Sequence, residues 1–158
     1  VADLGCGRTG HIVFPVSKIV GEDGLVYAVD ILKEVLEVVD KRAKASSILN
    51  VHTVWADLEQ VGYTAIPDHS LDVGFLINTL VHAEDVEAML KEAKRLLKDK
   101  SRLVVVDWYK EGLKFGPDDE NFIDFEDVKN WAQENGMTLQ EEFDVGRFHY
   151  GLVFYQHE

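Results

Sequence analysis

Along this chain, short β-branched runs alternate with stretches whose apolar residues recur at spacings of three and four. The runs fall at about 1–4, 25–30 (LVYAVD), 51–56 (VHTVWA), 71–77 (LDVGFLI) and 102–108 (RLVVVDW), and they predict strands. Between them, 11–20, 33–45 and 84–98 carry the helical period. In the last of these, Val86, Met89, Leu90, Ala93, Leu96 and Leu97 form one stripe, led by Glu84, Asp85 and Glu87 where the helix dipole favours acids. A further helix is predicted at about 124–135, with Asp124 as N-cap and Gly136 as stop.

Strand and helix alternating almost throughout are the pattern of an α/β fold, a parallel sheet with right-handed crossovers and helices on both faces. The end of the chain departs from it. Two extended runs, about 137–145 (MTLQEEFDV) and 148–156 (FHYGLVFYQ), are separated only by Gly146 and Arg147, so they can pair only as an antiparallel hairpin. Residues 109–123 hold two glycines and a proline in a polar setting and read as one long loop. No internal repeat or low-complexity segment interrupts the pattern.

Composition narrows what such a fold does. At 158 residues, 46% hydrophobic and 28% charged, the chain reads as one globular domain. Its formal charge of −13 repels phosphate backbones, and no basic patch with interleaved aromatics is present, so no nucleic-acid partner is expected. No apolar run has the length of a membrane span, and no signal peptide is visible. The lone cysteine, Cys6, cannot form an internal disulfide or a multi-cysteine metal site, and a reducing, cytoplasmic setting is expected. The chain opens on Val1 inside an expected strand, so further N-terminal sequence is expected as well.

The chemistry-bearing stretch is VADLGCGRTGH at 1–11, which supports three readings. A phosphate-cradling P-loop needs Lys and then Ser or Thr after its last glycine; His11 and Ile12 stand there instead. A dinucleotide fingerprint, G-x-G-x-x-G, is satisfied by Gly5, Gly7 and Gly10, and Asp30 lies 20 residues past Gly10 at the end of the second strand. Against it, Asp3 leads the loop and Asp57 follows the third strand. Three carboxylates thus converge on the carboxyl edge of the first three strands, where an open α/β sheet binds its ligand. That edge suits hydroxyls, an amine and a positive charge better than a pyrophosphate. A dehydrogenase of the short-chain type also needs Tyr-x-x-x-Lys, and no tyrosine here has lysine four residues on.

With those residues in view, the chain resembles the class I methyltransferases that use S-adenosylmethionine. ADLGCG at 2–7 is similar to the family's first motif. VYAVDI at 26–31, WADLE at 55–59, LDVGFLINTLVHAED at 71–85 and LKEAKRLLKDKSRLVVVDW at 90–108 follow in the family's order and spacing. The resemblance covers nearly the whole chain, as one methyltransferase domain over 1–158, and is closest to the small-molecule branch that includes quinone-biosynthesis C-methyltransferases. It implies a three-layer, Rossmann-like, doubly wound and mostly parallel sheet with the C-terminal antiparallel hairpin.

The resemblance also implies roles. Asp3 and the amides around Gly5, Cys6 and Gly7 hold the methionine head of S-adenosylmethionine, or of its product S-adenosylhomocysteine, with Gly10 closing the glycine loop. Asp30 takes the ribose diol and Ile31 lies against the adenine. Asp57 accepts from the adenine amino group, with the Leu58 amide nearby, and Asn78 and Thr79 line the wall near the sulfonium. Plainer readings stand beside these: Asp57 as a cap of the next turn, Asn78 as a turn residue, Cys6 as a small residue in a tight loop, His82 as a helix-start residue.

The chain departs from the family in Arg8-Thr9, which lengthens the glycine loop, and in Asp99-Lys100-Ser101, where Pro-Gly-Gly is usual. The family's lid helix before the first strand is expected to be missing from this stretch. Methyl transfer depends mainly on alignment, so no catalytic residue is assigned; His82, Asp107 and His149 are candidates for a base. The expected function is methyl transfer to a small-molecule acceptor. The alternatives are a domain that binds S-adenosylmethionine or S-adenosylhomocysteine without catalysis and, more distantly, an NAD-dependent oxidoreductase. Neither a metal nor a membrane is expected, and apolar surface left by the missing lid points to a homodimer.

Overall fold

The computed structural model of the protein describes residues 1–109 and 114–157. Seven strands form one sheet in the order β3-β2-β1-β4-β5-β7-β6. They are β1 (Ala2–Leu4), β2 (Val26–Asp30), β3 (Val51–Trp55), β4 (Leu71–Ile77), β5 (Leu97–Trp108), β6 (Met137–Val145) and β7 (His149–Gln156). The first five run parallel; β7 pairs antiparallel with both β5 and β6. The helices are α1 (Val13–Val20), α2 (Lys33–Ala45), α3 (Val86–Leu96) and α4 (Phe125–Glu134), with 3₁₀ turns at Leu80–His82 and Asp119–Asn121.

Alternation along each strand divides the core in two. Val26 and Ala28 of β2 pack with Val13 and Phe14 of α1 and with Val35, Leu36 and Val39 of α2. Val29 turns the other way and joins Leu4, Leu76, Leu103, Val105, Leu152 and Phe154 beneath Leu90 and Ala93 of α3 and Trp131 of α4. Helices therefore cover both faces, as a doubly wound sheet requires. Over β4, β5 and β7, no described helix lies on the α1–α2 side, and Phe75, Ile77, Val104 and Val153 are only half-buried there.

Two expectations shift. The helix predicted over 84–98 starts at Val86, because Asp85 caps it by accepting from the Ala88 N–H at 2.9 Å, and it stops at Leu96. Leu97 is already in β5, paired with Leu71, so β5 begins five residues ahead of the predicted 102–108 run. A bulge absorbs the turn-like Asp99-Lys100-Ser101: the pairing jumps from Leu71–Leu97 to Val73–Arg102, with Lys100 at φ +60°. Of the loop expected at 109–123, residues 110–113 lie outside the described residues.

Candidate cofactor site

The glycine loop turns sharply because its glycines adopt backbone angles that side chains resist. Gly5 has φ +91°, and the N–H groups of Gly5 and Cys6 both donate to the Val29 carbonyl at 2.9 Å, folding the loop over the end of β2. A Cβ on Gly5 would meet the Thr79 side chain at 2.5 Å, so the loop runs directly against the residue that follows β4. Thr79 completes that contact by donating its hydroxyl to the Leu4 carbonyl at 2.9 Å. Asn78, left-handed at φ +54°, is fixed by its N–H to the Val106 carbonyl at 2.8 Å.

Asp30 clamps the loop from the other side. One carboxylate oxygen accepts the Gly7 N–H and the other the Leu32 N–H, each at 3.0 Å. Asp57 takes the Glu59 N–H at 3.0 Å and the Gln60 side-chain amide at 3.2 Å, capping the turn after β3. That is the plainer role weighed for it, and it leaves further lone pairs on the carboxylate. The Trp55 indole donates to the Ile31 carbonyl at 2.8 Å and fixes the residue after Asp30.

These elements enclose a cavity of about 470 Å³ at the carboxyl edge of β1 to β4. Of the residues singled out from the sequence, Gly5, Gly7, Asp30, Ile31, Asp57, Leu58, Asn78, Thr79 and His82 line it. So do Leu32, Val35, Ala56, Glu59 and Met89, which the sequence reading passed over although most adjoin a strand end it had marked. Asp3, Cys6 and Gly10 lie outside the lining, Gly10 because it packs on the Phe14 ring. The base candidates separate. Only His82 reaches the cavity. Asp107 is fully buried and accepts the N–H groups of Val81 and Trp108, holding the 3₁₀ turn after β4, while His149 stacks on Trp108 at 4.4 Å.

The electrostatics follow from burial. Asp3 is 2% exposed, and its carboxyl is pushed up to about 7 by burial first and by the neighbouring Asp30 second. Burial, Asp3 and Asp30 likewise push the Cys6 thiol up, so it is held as an unreactive thiol. Asp107 is also raised by burial, against the backbone N–H groups of Trp108 and Val81 that lower it. The cavity walls carry Asp30, Asp57 and Glu59 and no lysine or arginine. Such a site favours a ligand with hydroxyls and a cation, and it disfavours a pyrophosphate.

A second cavity of about 500 Å³ opens further along the same edge, walled by Trp108, Tyr109, Phe122, Phe125 and Tyr150. Tyr150 sits between Tyr109 (5.8 Å between ring centres) and Phe125 (5.2 Å). Among the described residues no group of His, Cys, Asp and Glu side chains is arranged to hold a metal ion.

Comparison with known proteins bears on this site directly. Over 111 residues the chain is 35% identical to the ubiquinone/menaquinone biosynthesis C-methyltransferase UbiE of Vibrio vulnificus, covering 70% of this chain and 41% of that protein. Over 124 residues it is 26% identical to the 2-phytyl-1,4-naphtoquinone methyltransferase of Trichormus variabilis, covering 78% and 50%. The chain thus spans about two fifths to one half of these relatives' length. Among solved structures, a SAM dependent methyltransferase from Aquifex aeolicus superposes with a TM-score of 0.85 at 25% identity, covering 98% of this chain and 80% of that one. A type 11 methyltransferase from Sulfolobus solfataricus gives 0.75 at 26%, covering 99% and 83%. The methyltransferase-domain family matches residues 1–152, from the glycine loop through most of the final hairpin, and the chain belongs to that family.

Proposed function

We propose that this domain binds S-adenosylmethionine in the acid-lined cavity and transfers its methyl group to a small-molecule acceptor. The observation that carries the reading is a clamped glycine loop set against acid walls: Gly5 and Gly7 line the cavity, Asp30 holds the loop, and Asp57 and Glu59 complete the walls. Asp3 stands behind that lining, with its carboxyl raised by burial and by Asp30. Gly7 adds a second sign of fit, since a Cβ there would point into open space at the cavity wall.

Bound S-adenosylmethionine supplies an electrophilic methyl on a sulfonium, and transfer is an in-line displacement in which alignment is worth roughly 7–11 kcal/mol. The chain's own residues do the holding. Asp30 gives each oxygen to one backbone N–H and keeps lone pairs for the two ribose hydroxyls. Ile31 and Leu58 flank the adenine, Asp57 accepts from its amino group, and Asn78 and Thr79 wall the reacting end. His82 is the side chain placed to take a proton from an acceptor that has to lose one. The cavity beside Trp108 and Tyr150, aromatic on one side and lined by Asp124, Glu126, Lys129 and Asp144 as well, suits a planar ring with polar substituents, and the named quinone methyltransferases among the relatives favour an acceptor of that kind.

No described helix is long and apolar enough to cross a membrane. A cytoplasmic setting and a homodimer over the half-buried face at Phe75, Val104 and Val153 belong to the same proposal, and light scattering of the purified chain tests the dimer. Isothermal titration with S-adenosylhomocysteine, with NAD in parallel, tests the central reading. Saturable heat from the first and none from the second is expected; heat from NAD alone would overturn it. Binding of S-adenosylhomocysteine with no turnover of any acceptor would instead favour the binding-module alternative.

A further inference from the structure

The connection from β3 to β4, residues 56–70, is the one crossover that carries no helix among the described residues. A segment of turns has neither a ladder nor a helical hydrogen-bond system to hold it. Yet its first four residues, Ala56 to Glu59, form a wall of the cofactor cavity.

What holds the segment comes from α3. Glu92 is fully buried, and its two oxygens accept the Gly62 N–H at 2.6 Å and the Thr64 N–H at 3.0 Å. Arg95, one turn on, meets the same carboxylate side-on, Nε to Oε2 at 2.8 Å and Nη2 to Oε1 at 2.7 Å. The guanidinium then continues into the crossover, donating to the Thr64 carbonyl at 3.2 Å and pairing with Asp68. At the near end, Glu59 accepts the Asp85 N–H, from the cap of α3, at 2.7 Å. One helix therefore grips the crossover at Glu59, the last residue of the wall, and at 62, 64 and 68 just beyond it.

We infer that Glu92, oriented by Arg95, is a positioning residue for the cofactor: it locks the helix-free crossover to α3 and so fixes the wall formed by Asp57, Leu58 and Glu59. The inference rests on the cofactor reading above. A bidentate carboxylate–guanidinium pair has the directional rigidity that a ligand wall needs, and a buried carboxylate accepting four N–H groups leaves the loop no alternative arrangement of equal satisfaction.

The test is titration of S-adenosylhomocysteine into the wild type, Glu92→Gln, Arg95→Lys and Arg95→Met, with amide hydrogen exchange read at residues 57–64. Glu92→Gln is expected to weaken binding roughly tenfold, the scale on which supporting contacts act, and to speed exchange at Leu58, Gly62 and Thr64. Arg95→Lys, which keeps the charge but loses the fork, should fall between the wild type and Arg95→Met. It also serves if Glu92→Gln does not fold. A merely structural tie would weaken binding equally in any background. A positioning role makes the Glu92→Gln loss largely disappear when Asp57→Ala has already removed the wall contact, and persist beside Asp30→Ala. Faster exchange at Gly62 with wild-type affinity overturns the inference and leaves the cofactor reading standing; no binding by the wild type itself overturns both.

Discussion

Asp3 and Glu92 are both buried carboxylates, and they have opposite surroundings. Glu92 is met on every side by its own protein, two backbone N–H groups and a guanidinium. Burial alone would raise its pKa, but the Arg95 contact and the Gly62 and Thr64 donors outweigh burial and hold it down to about 2. Asp3 has burial and a second acid beside it, and rises to about 7. A carboxylate satisfied internally is architecture. One raised by burial and by a neighbouring acid stores unfavourable free energy when ionised, the kind of cost that functional sites trade for binding.

The largest test of that contrast is stability. Glu92→Ala strands the Gly62 and Thr64 amides and leaves Arg95 without its main partner, and it should cost about 3–5 kcal/mol, the range for removing one member of a buried pair. Asp3→Asn should do the reverse at pH 8. It removes a charge whose pKa shift corresponds to up to about 4 kcal/mol of strain in the ionised form, while S-adenosylhomocysteine affinity falls. Denaturant titration of both variants decides: if both are destabilised alike, the distinction between scaffold acid and ligand acid is wrong.

The same two residues give pH dependences of opposite sign. Glu92, depressed in the folded state, contributes stability that is present above its ordinary value of 4.5 and is lost as pH falls toward about 2, roughly 3 kcal/mol in all. Asp3, raised in the folded state, is least costly below 3.8, and its penalty grows as pH rises to about 7. Glu92→Gln should therefore flatten the acid limb of the stability curve and Asp3→Asn the limb between pH 4 and 7. If the ligand's ammonium binds beside Asp3, as proposed, affinity for S-adenosylhomocysteine should climb with pH and level off above about 7, a rise absent in Asp3→Asn.

How far each acid can be read from sequence follows from the same contrast. Asp30 and Asp57 stand at or just past strand ends and Asp3 two residues before the first glycine, so the strand pattern and the glycine spacing were enough to mark that edge, though only Asp30 and Asp57 line its cavity. The parallel sheet and its closing antiparallel hairpin follow from alternation and the short linker, but the insertion of β7 between β5 and β6 does not. Glu92 left only a faint mark: an acid inside the apolar stripe of α3, between Met89 and Ala93, three residues before Arg95. An acid on a buried face signals a partner, but periodicity cannot say that the partner is a loop 30 residues earlier in the chain. The early start of β5 was hidden for a related reason, because Leu97 fits the helical stripe and only its pairing with Leu71 ends the helix. The aromatic wall at Trp108, Phe125 and Tyr150 comes from three separate elements and has no shared motif.

Asp30 falls between the two extremes and sharpens the comparison. Its oxygens are half engaged, with one backbone N–H on each, and half available. Asp30→Ala should weaken S-adenosylhomocysteine binding by about 1.5–3 kcal/mol through the lost charge-assisted bonds to the diol. It also frees the Gly7 and Leu32 amides, so exchange at Gly7 should quicken in the unliganded chain. Unchanged affinity, measured by titration calorimetry, would mean that the clamp is architecture like Glu92 and that the ribose lies elsewhere.

The smallest effect on the fold is expected at Gly7, and it separates the loop's shape from its purpose. At Gly5 a side chain meets both an unfavourable φ of +91° and Thr79 at 2.5 Å, so Gly5→Val damages folding and binding together and cannot tell them apart. At Gly7, φ is +64° and nothing lies within 4 Å of an added Cβ, so Gly7→Ala carries only the left-handed backbone cost of about 1 kcal/mol. The methyl group then projects where the reading places the cofactor's approach to the loop amides. A melting temperature lowered by a few degrees with affinity for S-adenosylhomocysteine down at least about tenfold, or 1.4 kcal/mol, marks that open space as a ligand's. Wild-type affinity in this variant would show that the ligand keeps its distance from Gly7, and Asp30 would then lose its neighbour in the site.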